Sequence, residues 1–132
     1  MIKGNNTLYY WLQVLVWLEF IFILSSIPSI DFPPMPSDSW QFWAHRVAHF
    51  GEYSVLGVLL FRAYSYKRAR VGVITILLLS MHVFLAGSLD EWHQSFVPGR
   101  NCQFIDAIFD TISGAFGMLA YLMWLKMAKL SL

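Results

Sequence analysis

The chain's 132 residues give room for one domain, and its formal net charge of +1 excludes the broad basic surface of a nucleic-acid binder. A hydrophobic content of 58% against 13% charge excludes an ordinary soluble domain. Cys102 is the single cysteine, which excludes an internal disulfide.

A membrane span needs about 20 mostly apolar residues, because ~1.5 Å of rise per residue must cross a ~30 Å hydrocarbon core. Four segments approach or meet that length. The first runs from about Leu8 to Ile27. Lys3 ahead of it and Ser25 and Ser26 behind it give it some likeness to a secretory leader. The apolar run is long for a leader, however, and lacks an A-x-A-like cleavage site, so it reads as a span. The stretch "SSIPSIDFPPMPSDSW" follows, rich in Pro and Ser, with no helical period until Asp38 or Ser39, either of which can cap the next helix. The second span runs from about Val47 to Tyr64, the third from about Val71 to Leu89, and the fourth from about Phe104 to Leu125. Together they predict an all-α integral membrane protein, a four-transmembrane-helix bundle forming a single domain over residues 1–132.

If the four helices alternate in direction, both termini and the second connection share one side. Lys3, Lys67, Arg68, Arg70, Lys126 and Lys129 lie there. The opposite side holds Arg46 and Arg100 with Asp31, Asp38, Asp90 and Glu91. The positive-inside rule then predicts cytoplasmic termini and extracytoplasmic first and third connections. Trp11, Trp40, Trp43, Trp92 and Trp124 fall near span ends, as an interfacial aromatic belt would have them.

The stretch "WAHRVAHFGEYSVLG" spaces His45, His49 and Glu52 by four and three, within about 60° of one helical face. In the fourth span Asp106, Asp110, Ser113 and Gly117 share a similar arc. Asp90, His93 and Gln94 share a third if the helix persists through "LDEWHQ". An acid at the centre of a span is unfavourable by roughly 2.5–3.5 kcal/mol. Such groups are expected inside the bundle, paired, or around a wet cavity. The expectation is one outward-opening polar cavity lined by these stripes, with Arg46 and Arg100 at its mouth. For Glu19 and His82, which lack polar companions at helical spacing, contact between helices is the expected role.

"HRVAHFGEYSVLG" and "DEWHQSFVPGRNCQFIDAIFDTISGAFG", together with "FILSSIPS", resemble the VanZ-like family of small bacterial membrane proteins. The matching positions are His49, Tyr53, Asp90, Glu91, Gln94, Pro98, Gly99, Arg100 and Asp106. The resemblance implies a multi-helix protein of the bacterial inner membrane. It also implies a link to teicoplanin resistance through the family namesake, and kinship with enzymes acting on lipid head groups. Two positions depart: His45 and Arg46 stand where the family usually has Asp-Lys, and Asp110 stands where Asn is usual. If His45 and Asp110 face each other, the departures compensate.

The leading functional expectation is a site that binds or modifies a membrane lipid or polyprenyl-linked phosphate. Arg46 and Arg100 would clamp phosphate oxygens. His49 would act as acid, base or nucleophile with Glu52 orienting its ring. Asp90, Glu91 and Asp106 would orient a water or hold a divalent cation, and Gln94 would donate to a developing oxyanion. His45, Tyr53, His93 and Asp110 would support them. A competing reading is a small ion-coupled exporter built on Glu19. Bis-His haem ligation by His49 and His82, and a zinc site of His45, His49 and an acid, are lesser alternatives. A dimer packed through the small face of Ser113, Gly114 and Gly117 is a further expectation.

Overall fold

The computed structural model describes residues 6–28, 36–66, 71–100 and 102–130. Lys3, Asp31, Lys67, Arg68 and Arg70, and the side chain of Lys129, lie outside the described residues. The described chain is helical throughout its regular structure: α1 spans Asn6–Ser25, α2 Asp38–Ser65, α3 Val73–Gln94 and α4 Phe104–Leu130.

α1 is an almost unbroken apolar run that stops where Ser25 and Ser26 turn their hydroxyls back to donate to the Phe22 carbonyl, with Pro28 just beyond. α2 begins about nine residues before the apolar segment does. Its cap is Ser37, one residue ahead of the expected Asp38, and the Ser37 hydroxyl accepts from the Trp40 amide at 3.4 Å. Asp38 then sits in the first turn, where the helix dipole favours an acid. The cap signal at Asp38 or Ser39 places this start to within two residues, while the apolar limit at Val47 falls inside the helix because Asp38, Ser39, Gln41, His45 and Arg46 lower the hydropathy of its first turns. α3 continues through "LDEWHQ" to Gln94, five residues past the apolar limit.

Three of the helices, α1, α3 and α4, are long and apolar enough to cross a membrane. α2, with 28 residues, is longer than any of them. Large apolar side chains such as Leu15, Val16, Ile74, Leu77, Ile112 and Met127 stand on the outside, the surface a protein shows when hydrocarbon is its solvent.

α4 is the central element, packing along both α2 and α3, while α1 leans mainly on α2. α2 and α4 run in the same direction and approach very closely. A Cβ at Gly57 would lie 2.1 Å from the Gly114 carbonyl oxygen, and one at Gly117 would lie 2.0 Å from the Ser54 oxygen. Ser54 adds a hydrogen bond from its hydroxyl to the Ser113 carbonyl at 3.1 Å. The small face of Ser113, Gly114 and Gly117 is therefore filled within the chain. It is not open to a second copy, because it is what lets these two backbones touch. Tyr53, Leu56, Phe61, Leu79, Val83 and Met118 form the apolar core.

Candidate functional site

Beside this core, α2, α3 and α4 bring together a buried polar cluster. His49 comes from α2, Asp90, Glu91 and Gln94 from one face of α3, and Asp106 and Asp110 from α4. None is more than 7% exposed. Two rungs join α2 to α4. Arg46 Nη1 lies 2.6 Å from Asp106 Oδ1 in an ion contact without hydrogen-bond alignment, and one turn further on His49 Nδ1 lies 3.0 Å from Asp110 Oδ1. The rungs advance together because the helices are parallel and Gly57, Gly114 and Gly117 hold them close.

On α3, Gln94 Nε2 donates to Asp90 Oδ2 at 2.8 Å. Glu91 Oε2 accepts the Gln103 amide at 2.7 Å, tying the end of α3 to the chain entering α4. Besides Asp106 Oδ1, the buried carboxylate oxygens Asp90 Oδ1 and Asp110 Oδ2 have no hydrogen-bond partner among the described residues. Single oxygens from Glu91 and Asp110 and a ring nitrogen of His49 lie within 4.8 Å of one another, a spacing that can hold a metal ion.

Several expected pairings take a different form. His45 does not pair with Asp110: its ring lies against the His49 ring, centroids 4.2 Å apart, and His49 takes the Asp110 carboxylate. Residues 45 and 49 share a helical face, but only the one level with residue 110 can reach it. Asp110, and not Glu52, therefore orients the His49 ring. Glu52 is half-buried, close enough to feel the charges of His49, Asp90, Asp110 and Arg100, and its backbone carbonyl accepts the Trp17 indole N–H at 2.8 Å. That contact anchors α1 and was absent from the expectations. A Trp in mid-span, whose N–H needs an acceptor away from water, was its only sequence signal. Tyr53 is buried one turn past His49 and stacks on it with centroids 6.0 Å apart.

His93 turns away from Asp90 and Gln94 toward α1, where its Nε2 meets the Ser26 hydroxyl at 3.0 Å and its ring packs on Phe22. Arg100 follows Gly99, whose φ of 76° only glycine adopts without strain. Arg100 donates from Nε to the Ile27 carbonyl at 3.1 Å and from Nη2 to the Leu24 carbonyl at 3.2 Å. The Leu24 carbonyl, at the negative end of α1, also takes the Ile27 amide at 3.3 Å, and Ile27 lies just past the helix, so part of the guanidinium serves the fold. Glu19 is exposed on α1 and has no hydrogen bond or ion pair with another described residue. His82 is exposed on α3 with its Nδ1 on the Leu78 carbonyl, 2.8 Å away in its own helix. It does not face His49, which removes the bis-His haem arrangement.

Beside the polar cluster, the described residues form an apolar groove between α2 and α4 of about 370 Å³. Phe42, Trp43, Ile105, Ile108, Phe109 and Ile112 line it with Arg46. The Arg46 guanidinium lies 5.3 Å from the Phe42 ring centroid and 5.2 Å from that of Phe109, within cation–π range of both. It thus joins the groove to the buried acids.

The same segments meet a family pattern. A family model described as VanZ/LLP1 matches residues 8–125. The chain belongs to the VanZ/LLP1 family. No curated protein and no solved structure matches it. In this VanZ/LLP1 protein the motif residues His49, Asp90, Glu91, Gln94 and Asp106 gather in the cluster, while Pro98, Gly99 and Arg100 form the turn that reaches α1. Three long apolar helices make it a membrane protein, as the family implies.

Proposed function

We propose that this VanZ/LLP1 protein holds a lipid-linked phosphate or similar polar head group at the outer leaflet of the bacterial inner membrane, with His49 placed to move a proton on the bound head. The observation that carries the reading is the position of Arg46, which lines an apolar groove on one side and contacts a buried acid on the other. A hydrocarbon chain suits the groove's aromatic and aliphatic walls. The phosphate oxygens at its head suit a guanidinium, which offers a planar fork of donors.

The His49–Asp110 pair supports the chemistry. With Asp110 accepting from Nδ1, the imidazole is held in one orientation and tautomer, and Nε2 remains for the head group. The excess of Lys and Arg at both termini and in the second connection supports cytoplasmic termini. That arrangement requires α2 to cross as the fourth span and sets the cluster toward the extracytoplasmic end. A polyprenyl or glycerolipid phosphate of the cell envelope agrees with the family namesake's link to teicoplanin.

The test is retention of lipid by purified protein in nanodiscs offered polyprenyl phosphate, phosphatidate or diacylglycerol, with release of inorganic phosphate followed in parallel. The phosphate-bearing lipids are expected to be retained over diacylglycerol, and Arg46→Ala to abolish the preference. Equal retention of all three, or a preference unchanged by Arg46→Ala, would refute the reading.

A further inference from the structure

We infer that His49, Glu91 and Asp110 form a binding site for one divalent metal ion of the zinc or manganese kind. The inference rests on the same cluster as the proposed lipid site but concerns the ion alone. One ligand atom from each residue lies within 4.8 Å of the other two. At metal–ligand lengths of about 2.0–2.2 Å, two ligands of a tetrahedral ion stand roughly 3.3 Å apart. His49 Nδ1 and Asp110 Oδ1, at 3.0 Å, are already near that separation; an ion between them replaces their hydrogen bond, with the imidazole proton then carried on Nε2. Glu91 needs to move in by about 1.5 Å at most, a shift its side-chain torsions can supply.

Charge points the same way. Asp90, Glu91, Asp106 and Asp110 are all buried; Asp106 meets the guanidinium of Arg46 and Asp110 the ring of His49. Each uncompensated buried charge costs several kcal/mol, and a dication offsets two. Hydrogen bonding supplies the independent observation. Asp110 is fully buried, yet its Oδ2 has no partner among the described residues. That oxygen lies against Gly87, where an added Cβ would stand 3.1 Å from it, one turn before Glu91 on the same face of α3. A metal, or water on a metal, satisfies such an oxygen. Asp90 Oδ1, also buried and unpartnered, is a second acceptor for metal-bound water.

The donor set selects the ion. One imidazole nitrogen with two carboxylates suits zinc or manganese better than calcium or magnesium, which favour oxygen alone. The Gln103 amide holds Glu91 Oε2 at 2.7 Å, the kind of supporting bond that fixes a carboxylate's direction. Three protein ligands leave a fourth position open for water or a substrate oxygen.

The test uses the full chain, without a polyhistidine tag, purified in detergent, stripped with chelator and dialysed against ZnCl2 or MnCl2 before elemental analysis. One ion per chain is expected. Asp110→Asn and Glu91→Gln keep side-chain shape and are expected to weaken binding by more than the roughly 10–100-fold lost with a mere supporting partner. His45→Ala and His93→Ala are expected to leave it intact. Circular dichroism and gel filtration verify that each variant is folded. No retained ion, or an ion indifferent to Asp110→Asn and Glu91→Gln, would overturn the inference. Retention of phosphate lipid by the stripped protein is scored separately: lipid binding without metal binding overturns this site alone, and metal binding without lipid preference overturns the lipid reading alone.

Discussion

Gly57→Ala is expected to disable the site from a distance. The added methyl would stand 2.1 Å from the Gly114 oxygen, whereas real Cβ atoms keep beyond 3.0 Å, so α4 must recede by roughly 0.9 Å. Gly114 is one turn from Asp110, and a rigid recession of that size would stretch the 3.0 Å His49–Asp110 contact to about 3.9 Å, outside hydrogen-bond range. Overpacking costs about 1–3 kcal/mol, and losing a hydrogen bond between charged groups costs about 1.5–3 kcal/mol. Alanine's better helix propensity returns up to about 1 kcal/mol. A net destabilisation of roughly 1.5–6 kcal/mol is expected, read by unfolding in mixed dodecylmaltoside and SDS micelles with circular dichroism. Gly51→Ala is the control, because nothing lies within 4 Å of a Cβ there; it is expected to be neutral or slightly stabilising. If both variants unfold together with the parent protein, the close approach of α2 and α4 is wrong.

Arg46→Ala leaves the buried Asp106 carboxylate without its cation and is expected to cost toward the lower end of the roughly 3–5 kcal/mol typical of broken buried pairs, since Arg46 is 18% exposed. The double variant Arg46→Leu, Asp106→Leu is expected to recover most of that loss in the same unfolding assay. Ser26→Ala and His93→Ala each remove one hydrogen bond between α1 and α3, so about 1 kcal/mol of stability is expected to go while lipid retention stays unchanged. Glu19→Leu is expected to improve insertion of α1 by about 2.5–3.5 kcal/mol in a translocon assay and to leave lipid retention intact. Loss of function with Glu19→Gln but not with His49→Ala would favour the exporter reading instead.

The helices were legible because apolar length is written directly into the chain. α1, α3 and α4 fall close to the segments expected, and the start of α2 was legible from its cap signal though not from hydropathy, which Asp38, Ser39, Gln41, His45 and Arg46 lower ahead of Val47. The faces were largely legible: His49, Asp90, Gln94, Asp106 and Asp110 lie on the expected stripes, and the bundle buries them together with Glu91, which was placed on none. Which partner each meets was not legible. Spacing within a helix fixes an angle, but the level at which two helices meet depends on where glycines permit contact. His45 and Glu52 therefore lost the expected pairings to the residue that stands level with Asp110. His93 was misread for a related reason, since it borders the shared face and α1, joined by a long connection, claims it. Arg100 was expected at a mouth without allowance for the carbonyls at and just past the negative end of α1, which attract it.

The Arg100 contacts also constrain biogenesis. The carbonyls of Leu24 and Ile27 meet a side chain 76 and 73 residues later in the chain, so while the ribosome is still adding the second and third helices, the end of the first lacks the guanidinium that docks it. α1 can enter the bilayer early, but its final seating must wait until the turn at Gly99 has been synthesised. A nascent chain arrested before that point should present a first helix inserted but not yet docked, and it is there that a quality-control protease would find its opening.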